Sequence, residues 1–129
     1  MGSDSNADRS KGTVATTQDV LRHHQRCIAE GDLSGLMADY ASDAKFFTPD
    51  GVLHGSEAIR GFFARFLEEF AKPGRSLERL RQDVDGDTAF VVWRGETADN
   101  RYDFAADTWF VQNGKIVTQA FAAKILPKG

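Results

Sequence analysis

A single cysteine stands in 129 residues, so no internal disulfide can form and no cysteine-rich metal site is available. The histidines at positions 23, 24 and 54 lack the spacing of zinc ligands. Long hydrophobic runs are missing too: no stretch approaches the roughly 18 residues that a membrane helix needs. No excess of one charge is present. The net charge is −3 with acids and bases interleaved, which argues against nucleic acid and anionic membrane as partners. The opening "MGSDSNADRSKG" has no apolar segment of the signal-peptide kind, and Asn6 stands where a myristoylation motif wants Ser or Thr. Residues 1–13 therefore read as a disordered lead-in to a single domain over 14–129, with the cytoplasm as default location.

What the chain does hold is ordinary in amount and unusual in kind. Hydrophobic residues make up 41% and charged residues 27%, as in soluble globular proteins. A chain of this length buries roughly two-thirds of its unfolded surface. Ten phenylalanines point to a core or cavity walled by aromatic rings.

Thr16 or Thr17 opens the first helix, Asp19 sits in its first turn, and Gly31 follows Glu30 as a stop. Asp32 caps a second helix, "LSGLMADYA", in which Leu33, Leu36, Met37 and Tyr40 share a face. "AKFFTPDG" is a short strand closed by a Pro–Asp–Gly turn. From Ser56, the positions Ile59, Phe62, Phe63, Phe66, Leu67 and Phe70 form one wide helical stripe, ended by Pro73 and Gly74. The period then changes to two. "SLERLRQDVDGD" alternates loosely, and "TAFVVWRGETA", "NRYDFAADTWFVQ" and "KIVTQAFAAKI" follow, the last two joined at Asn113–Gly114. Helices followed by a meander predict an α+β domain with the helices on one face of a curved sheet. Such a half-open cone has a mouth suited to a small molecule.

"YASDAKFFTPDGVLHGSEAIRGFF" resembles the corresponding stretch of the nuclear transport factor 2-like superfamily, which includes ketosteroid isomerases and SnoaL-like polyketide cyclases. "EGDLSGLMADYASDA" and "DTWFVQNGKIVTQAFAAK" carry the likeness over nearly all of the chain after residue 15. The resemblance implies the cystatin-like cone: a half-barrel of curved, mostly antiparallel sheet under three N-terminal helices. It also implies a homodimer formed through the outer sheet face, with Tyr102, Phe104 and Phe110 exposed there. In the isomerase branch, two tyrosines, an oxyanion aspartic acid and a base aspartate do the chemistry. Carried over motif by motif, these fall on His24, Phe63, Asp107 and Thr48. Only Asp107 is kept. A threonine cannot take a carbon-bound proton unaided, so standard isomerase activity is not expected.

His24 is the odd member of a stripe with Val20, Leu21, Cys27 and Ile28. A lone histidine on such a face is more often a core residue bonded to a buried carbonyl than a catalyst. Within the cone it would instead oppose Asp107, with His24 as base and Asp107 as partner or acid. Strand alternation adds Trp109, Gln119 and Phe121 to the same cavity, and Tyr40, Thr48 and Phe63 complete the substrate-binding set. Arg101 is expected on the side of Asp103 and Asp107. A carboxyl among Ala105 and Trp109 must be protonated, paired or wet. His23 reads as a solvated surface residue, Cys27 as a small buried hydrophobe, and Trp93 as sheet packing. No metal or other cofactor is implied.

Three functions fit. The first is a cofactor-free enzyme moving a proton on a small hydrophobic carbonyl compound, of isomerase, cyclase or dehydratase type. The second is a binding protein for such a molecule without chemistry. The third is a dimeric interaction module with a closed cone, which an internal cavity of several hundred cubic ångströms excludes. An epoxide-hydrolase-like addition of water ranks lower, with Arg94 or Arg101 as its cation.

Overall fold

A computed structural model describes residues 14–129, and the lead-in reading of 1–13 lies outside them. Helix α1 (Thr17–Glu30) begins on a reciprocal cap. The Thr16 hydroxyl accepts from Asp19 N at 3.1 Å, and the Asp19 carboxylate accepts from Thr16 N at 3.2 Å. Gly31 ends the helix in the left-handed region at φ 70°. Val20, Leu21, His24 and Cys27 are its buried stripe.

Helix α2 (Leu33–Met37) is capped by Asp32, whose carboxylate accepts from Gly35 N at 2.9 Å. It stops short of the expected Tyr40. The Asp39 carbonyl accepts from Ile116 N at 2.7 Å, and Tyr40 already pairs with Ile116, so the backbone here serves a strand. Tertiary pairing has overridden helical period.

Strand β1 (Tyr40–Thr48) is thus longer than expected, and it turns back into β2 (Gly51–His54), a strand the sequence pattern does not announce. Three of its four residues are exposed, so it has no hydrophobic period to betray it. Helix α3 (Ser56–Ala71) follows and buries Ile59, Phe63, Leu67 and Phe70. The meander is β3 (Ser76–Asp85), β4 (Thr88–Glu96), β5 (Asn100–Gln112) and β6 (Lys115–Pro127).

The six strands form one curved, unclosed sheet in the order β2-β1-β6-β5-β4-β3. Every neighbouring pair is antiparallel except β1 with β6. The three helices cover one face, α1 against β4 and β5, and α3 against β1 and β2. This is the expected α+β cone. Edge strand β3 is exposed along nearly its whole length, with only Val84 half-buried, because no helix covers it. Its charges guard an open edge.

Bulges bend the meander and decide which side chains face inward. One lies between Trp93 and Gly95, where a Cβ on Gly95 would sit 2.5 Å from the Ser76 carbonyl oxygen. Only glycine lets β3 approach that closely. The extra residue belongs to β5, whose pairing with β6 shifts at the same place, between Tyr102 and Phe104. The extra residue reverses the alternation, so Tyr102, expected on the outer face, is buried, while Phe104 and Phe110 remain exposed. By the same shift Arg101 and Asp103 leave the side of Asp107 and lie in solvent, 3.7 Å apart.

Tyr102 joins an anchor for the end of α3. The Glu69 carboxylate accepts from Thr97 Oγ1 at 2.6 Å, Asn100 Nδ2 at 2.9 Å and the Tyr102 hydroxyl at 3.1 Å. The β4–β5 turn is thereby tied to the helix.

Candidate functional site

The sheet and helices enclose a cavity of about 380 Å³. That is the lower end of the range that small-molecule sites occupy. A closed cone is therefore not what this chain forms. Phe46 from β1 and Phe62, Phe63, Phe66 and Phe70 from α3 make one wall. Phe46 stacks parallel on Phe63 at 5.7 Å and meets Phe62 edge-on at 4.8 Å, so each ring holds the next in place. Trp93, Phe121 and Trp109 from the sheet face them.

At the deep end the polar groups form a chain. The Tyr40 hydroxyl donates to Gln119 Oε1 at 2.5 Å, Gln119 Nε2 donates to Asp107 Oδ1 at 3.0 Å, and Trp93 Nε1 donates to Asp107 Oδ2 at 2.9 Å. An ionised carboxylate only accepts, so the Gln119 amide must turn its NH₂ to Asp107 and its carbonyl to Tyr40. Tyr40 is then bound to donate. Burial and the nearby Asp107 charge raise the Tyr40 pKa well above its ordinary value, which keeps that proton on the phenol.

Asp107 is buried, and desolvation pushes its pKa up to about 6 against the opposing hydrogen bonds from Trp93 and Gln119. At neutral pH it is mostly a carboxylate, and a much stronger base than an exposed one. His24 goes the other way. Burial, with a smaller contribution from His23, lowers its pKa to about 3. An imidazole so hard to protonate is a weak base, which argues against the role expected for it. It stays neutral, its Nδ1 has no partner among the described residues, and its ring meets Trp109 edge-on at 5.1 Å. No hydrogen bond joins His24 to Asp107; both line the cavity, held by different neighbours. Trp109 Nε1 likewise makes no hydrogen bond of good geometry, though it approaches the Tyr40 oxygen closely enough to favour the phenolate slightly.

Of the other expected site residues, Phe63, Trp109, Gln119 and Phe121 line the cavity. Tyr40 stands one layer behind, reaching it through Gln119. Thr48 does not belong to it. Its hydroxyl donates to the Gly51 carbonyl at 2.8 Å and accepts from Asp50 N at 3.1 Å, which spends it on the β1–β2 turn. Arg94 and Arg101 are also remote, the first paired with Glu78 at 3.0 Å on the surface.

Four features were not anticipated. Trp93 is a ligand of Asp107 as well as a packing residue. Arg75 and Arg79 stand at the mouth of the cavity, and the period-two spacing with Leu77 was the available signal. His23, expected in solvent, places Nδ1 2.7 Å from Asp39 Oδ1 and lies 3.6 Å from the buried Cys27 sulfur. Burial raises the Asp39 pKa, with His23 opposing it. Burial also pushes the Cys27 thiol up, which leaves it a packing residue. Among the described residues no group of His, Cys, Asp and Glu could hold a metal ion, and no helix is long and apolar enough to cross a membrane.

The comparisons agree with this geometry at the level of fold. A 23% identical protein of unknown function from Mesorhizobium loti, described as nuclear transport factor 2-like, superposes with a TM-score of 0.72 over 84% of this chain and 90% of its own. A putative polyketide cyclase from Sinorhizobium meliloti is 18% identical, with a TM-score of 0.67 over 80% of this chain and 93% of its own. The epoxide hydrolase/cyclase-like enzyme SalBIII of salinomycin pyran-ring formation is 17% identical, with a TM-score of 0.70 over 84% and 90%. No protein of curated function matches by sequence. The SnoaL-like domain model matches residues 20–119, from the stripe of α1 to the glutamine that holds Asp107, so the chain belongs to the SnoaL-like branch of the nuclear transport factor 2-like superfamily.

Proposed function

We propose that this protein is a cofactor-free enzyme that moves a proton next to a carbonyl in a small hydrophobic compound, in the manner of an isomerase, cyclase or dehydratase. One observation carries the reading. A buried carboxyl with its pKa raised to about 6 is fixed by two donors on the wall of an aromatic cavity. Asp107 takes the proton from the carbon beside the carbonyl, and the electron pair moves onto the carbonyl oxygen. The neutral His24 supplies hydrogen bonding to that oxygen, since an N–H of modest acidity in dry surroundings stabilises developing charge well. The protonated Asp107 then returns the proton to another carbon, or to a departing hydroxyl. Dry aromatic walls keep water from competing for it.

The test is exchange of α-protons for deuterium in small cyclic ketones, followed by NMR with wild type and Asp107→Asn. Exchange by wild type that is lost in the variant supports the reading. Ligand binding by both proteins without exchange would establish the rival, a carrier of small hydrophobic molecules. Both oxygens of Asp107 already accept hydrogen bonds, which is the observation favouring that rival. Water addition to an epoxide loses the two cations expected for it, since Arg94 and Arg101 both lie away from the cavity.

The same reading includes a homodimer built on the outer sheet face. Phe104 is 52% exposed and Phe110 41%, beside the exposed Phe47 on the neighbouring part of the sheet. A lone monomer rarely leaves such a patch bare.

A further inference from the structure

The cavity is polar at two ends, and the ends differ in kind. The deep end carries Asp107, Gln119 and the uncharged His24, all buried. The mouth lies between α1 and the uncovered strand β3, and its charged lining residues are Arg75 and Arg79, both exposed. Among the described residues no carboxylate lies within ion-pair distance of either guanidinium, whereas their neighbours Arg81 and Arg94 are paired with Asp83 and Glu78.

Both arginines are aimed by the fold. Arg79 pairs across the ladder with Trp93, so its side chain leaves the strand on the cavity face, beside the indole that binds Asp107. Arg75 Nη2 donates to the Ala29 carbonyl at 3.3 Å, which ties it to the end of α1 across the mouth. Gln25 of α1, another lining residue, bonds Gln82 of β3 at 2.9 Å and fixes the span between the two elements. The mouth is therefore a positive rim of defined width around an apolar shaft.

We propose that the molecule taken by this cavity is a keto acid: its carbonyl enters toward Asp107 and His24, its apolar body lies against the phenylalanines, and its carboxylate is held at the mouth by Arg75 and Arg79. The inference rests on the reading of the deep end as a carbonyl site. Orientation follows from charge. A carboxylate pushed inward would face Asp107 without water, while at the mouth it keeps part of its hydration and gains two guanidiniums. Guanidinium forks suit a planar carboxylate because two parallel hydrogen bonds can form.

The test compares 4-oxo-4-phenylbutanoate with its methyl ester, which keeps the ketone and the aromatic body and replaces the carboxylate by an uncharged group. Binding is followed by quenching of intrinsic fluorescence, since Trp93 and Trp109 both line the cavity. The acid is expected to bind wild type about fivefold more tightly than the ester, from two partly exposed ion pairs. Added salt should shrink that margin. Arg75→Gln combined with Arg79→Gln should erase it, and Arg94→Gln, outside the cavity, should leave it in place. An ester bound as tightly as the acid, or a preference that survives the double substitution, overturns the keto-acid inference and leaves the carbonyl site standing. Binding of neither probe overturns both.

Discussion

Gln119 Nε2 lies 3.0 Å from Asp107 Oδ1, a side-chain bond on the cavity face of the paired strands β6 and β5. Because the other end of the same amide accepts from Tyr40, the side chain reports the charge of Asp107. When the carboxyl takes up a proton it becomes a donor, and the amide is free to turn over. Protonation of Asp107 is thus coupled through this amide to the Tyr40 hydroxyl.

Asp107→Asn should lower α-proton exchange by about 10²–10⁴-fold, the usual contribution of a positioned base. In wild type the rate should rise with pH through about 6, as the carboxyl ionises. A flat profile from pH 5 to 8 would remove Asp107 from the mechanism.

The same group acts on stability with a definite sign. Its folded pKa, about 6, stands above the ordinary value of 3.8, so the native state holds the proton more tightly than the unfolded chain. Its contribution is present below pH 4 and is lost as pH rises toward 6. Urea denaturation should show wild type losing about 1–3 kcal/mol over that window relative to Asp107→Asn, with a constant difference above it.

His24 works in the opposite direction. With a folded pKa of about 3 against 6.5, its neutral form stabilises the fold above pH 6.5, and that stability drains away as the solution is acidified. At pH 5 His24→Leu should be about 2 kcal/mol less acid-sensitive than wild type, relative to their difference at pH 8. An imidazole resonance that titrates between pH 5 and 8 and belongs to His24 would contradict this account.

Glu69→Gln leaves the shape of the α3 anchor but not its charge, and Glu69→Ala removes it. Thr97 is fully buried, and its hydroxyl, bonded to Glu69 at 2.6 Å, would be left with only the Asn100 carbonyl at 3.4 Å to donate to. The alanine variant should cost about 1–3 kcal/mol in thermal or urea unfolding, and the glutamine variant less.

Phe104→Glu with Phe110→Glu should shift the protein from dimer to monomer in sedimentation velocity, because charge on a sheet face cannot be buried against a second copy. A wild type that sediments as a monomer ends the dimer proposal directly.

Much of this was legible in the residues. Thr16, Asp19 and Gly31 delimit α1 by local capping, and the stripe of α3 is a matter of period alone. Both depend on neighbours within a turn or two. Asp107, Trp109, Gln119 and Phe121 face one cavity because alternation on β5 and β6 is regular where they stand. The burial of Tyr102 and the exposure of Arg101 followed from a bulge, which adds a residue without any mark in the local pattern. The loss of Tyr40 from α2 was decided by Ile116, more than seventy residues away in the chain. The protonation states belong to this second class as well. Periodicity places His24 and Asp107 on apolar faces, but only the packed structure removes water from both, weakening one as a base and strengthening the other. A pKa is set by what surrounds a group on every side, and in this fold those surroundings come from helices α1 and α3 and from strands β1, β4, β5 and β6.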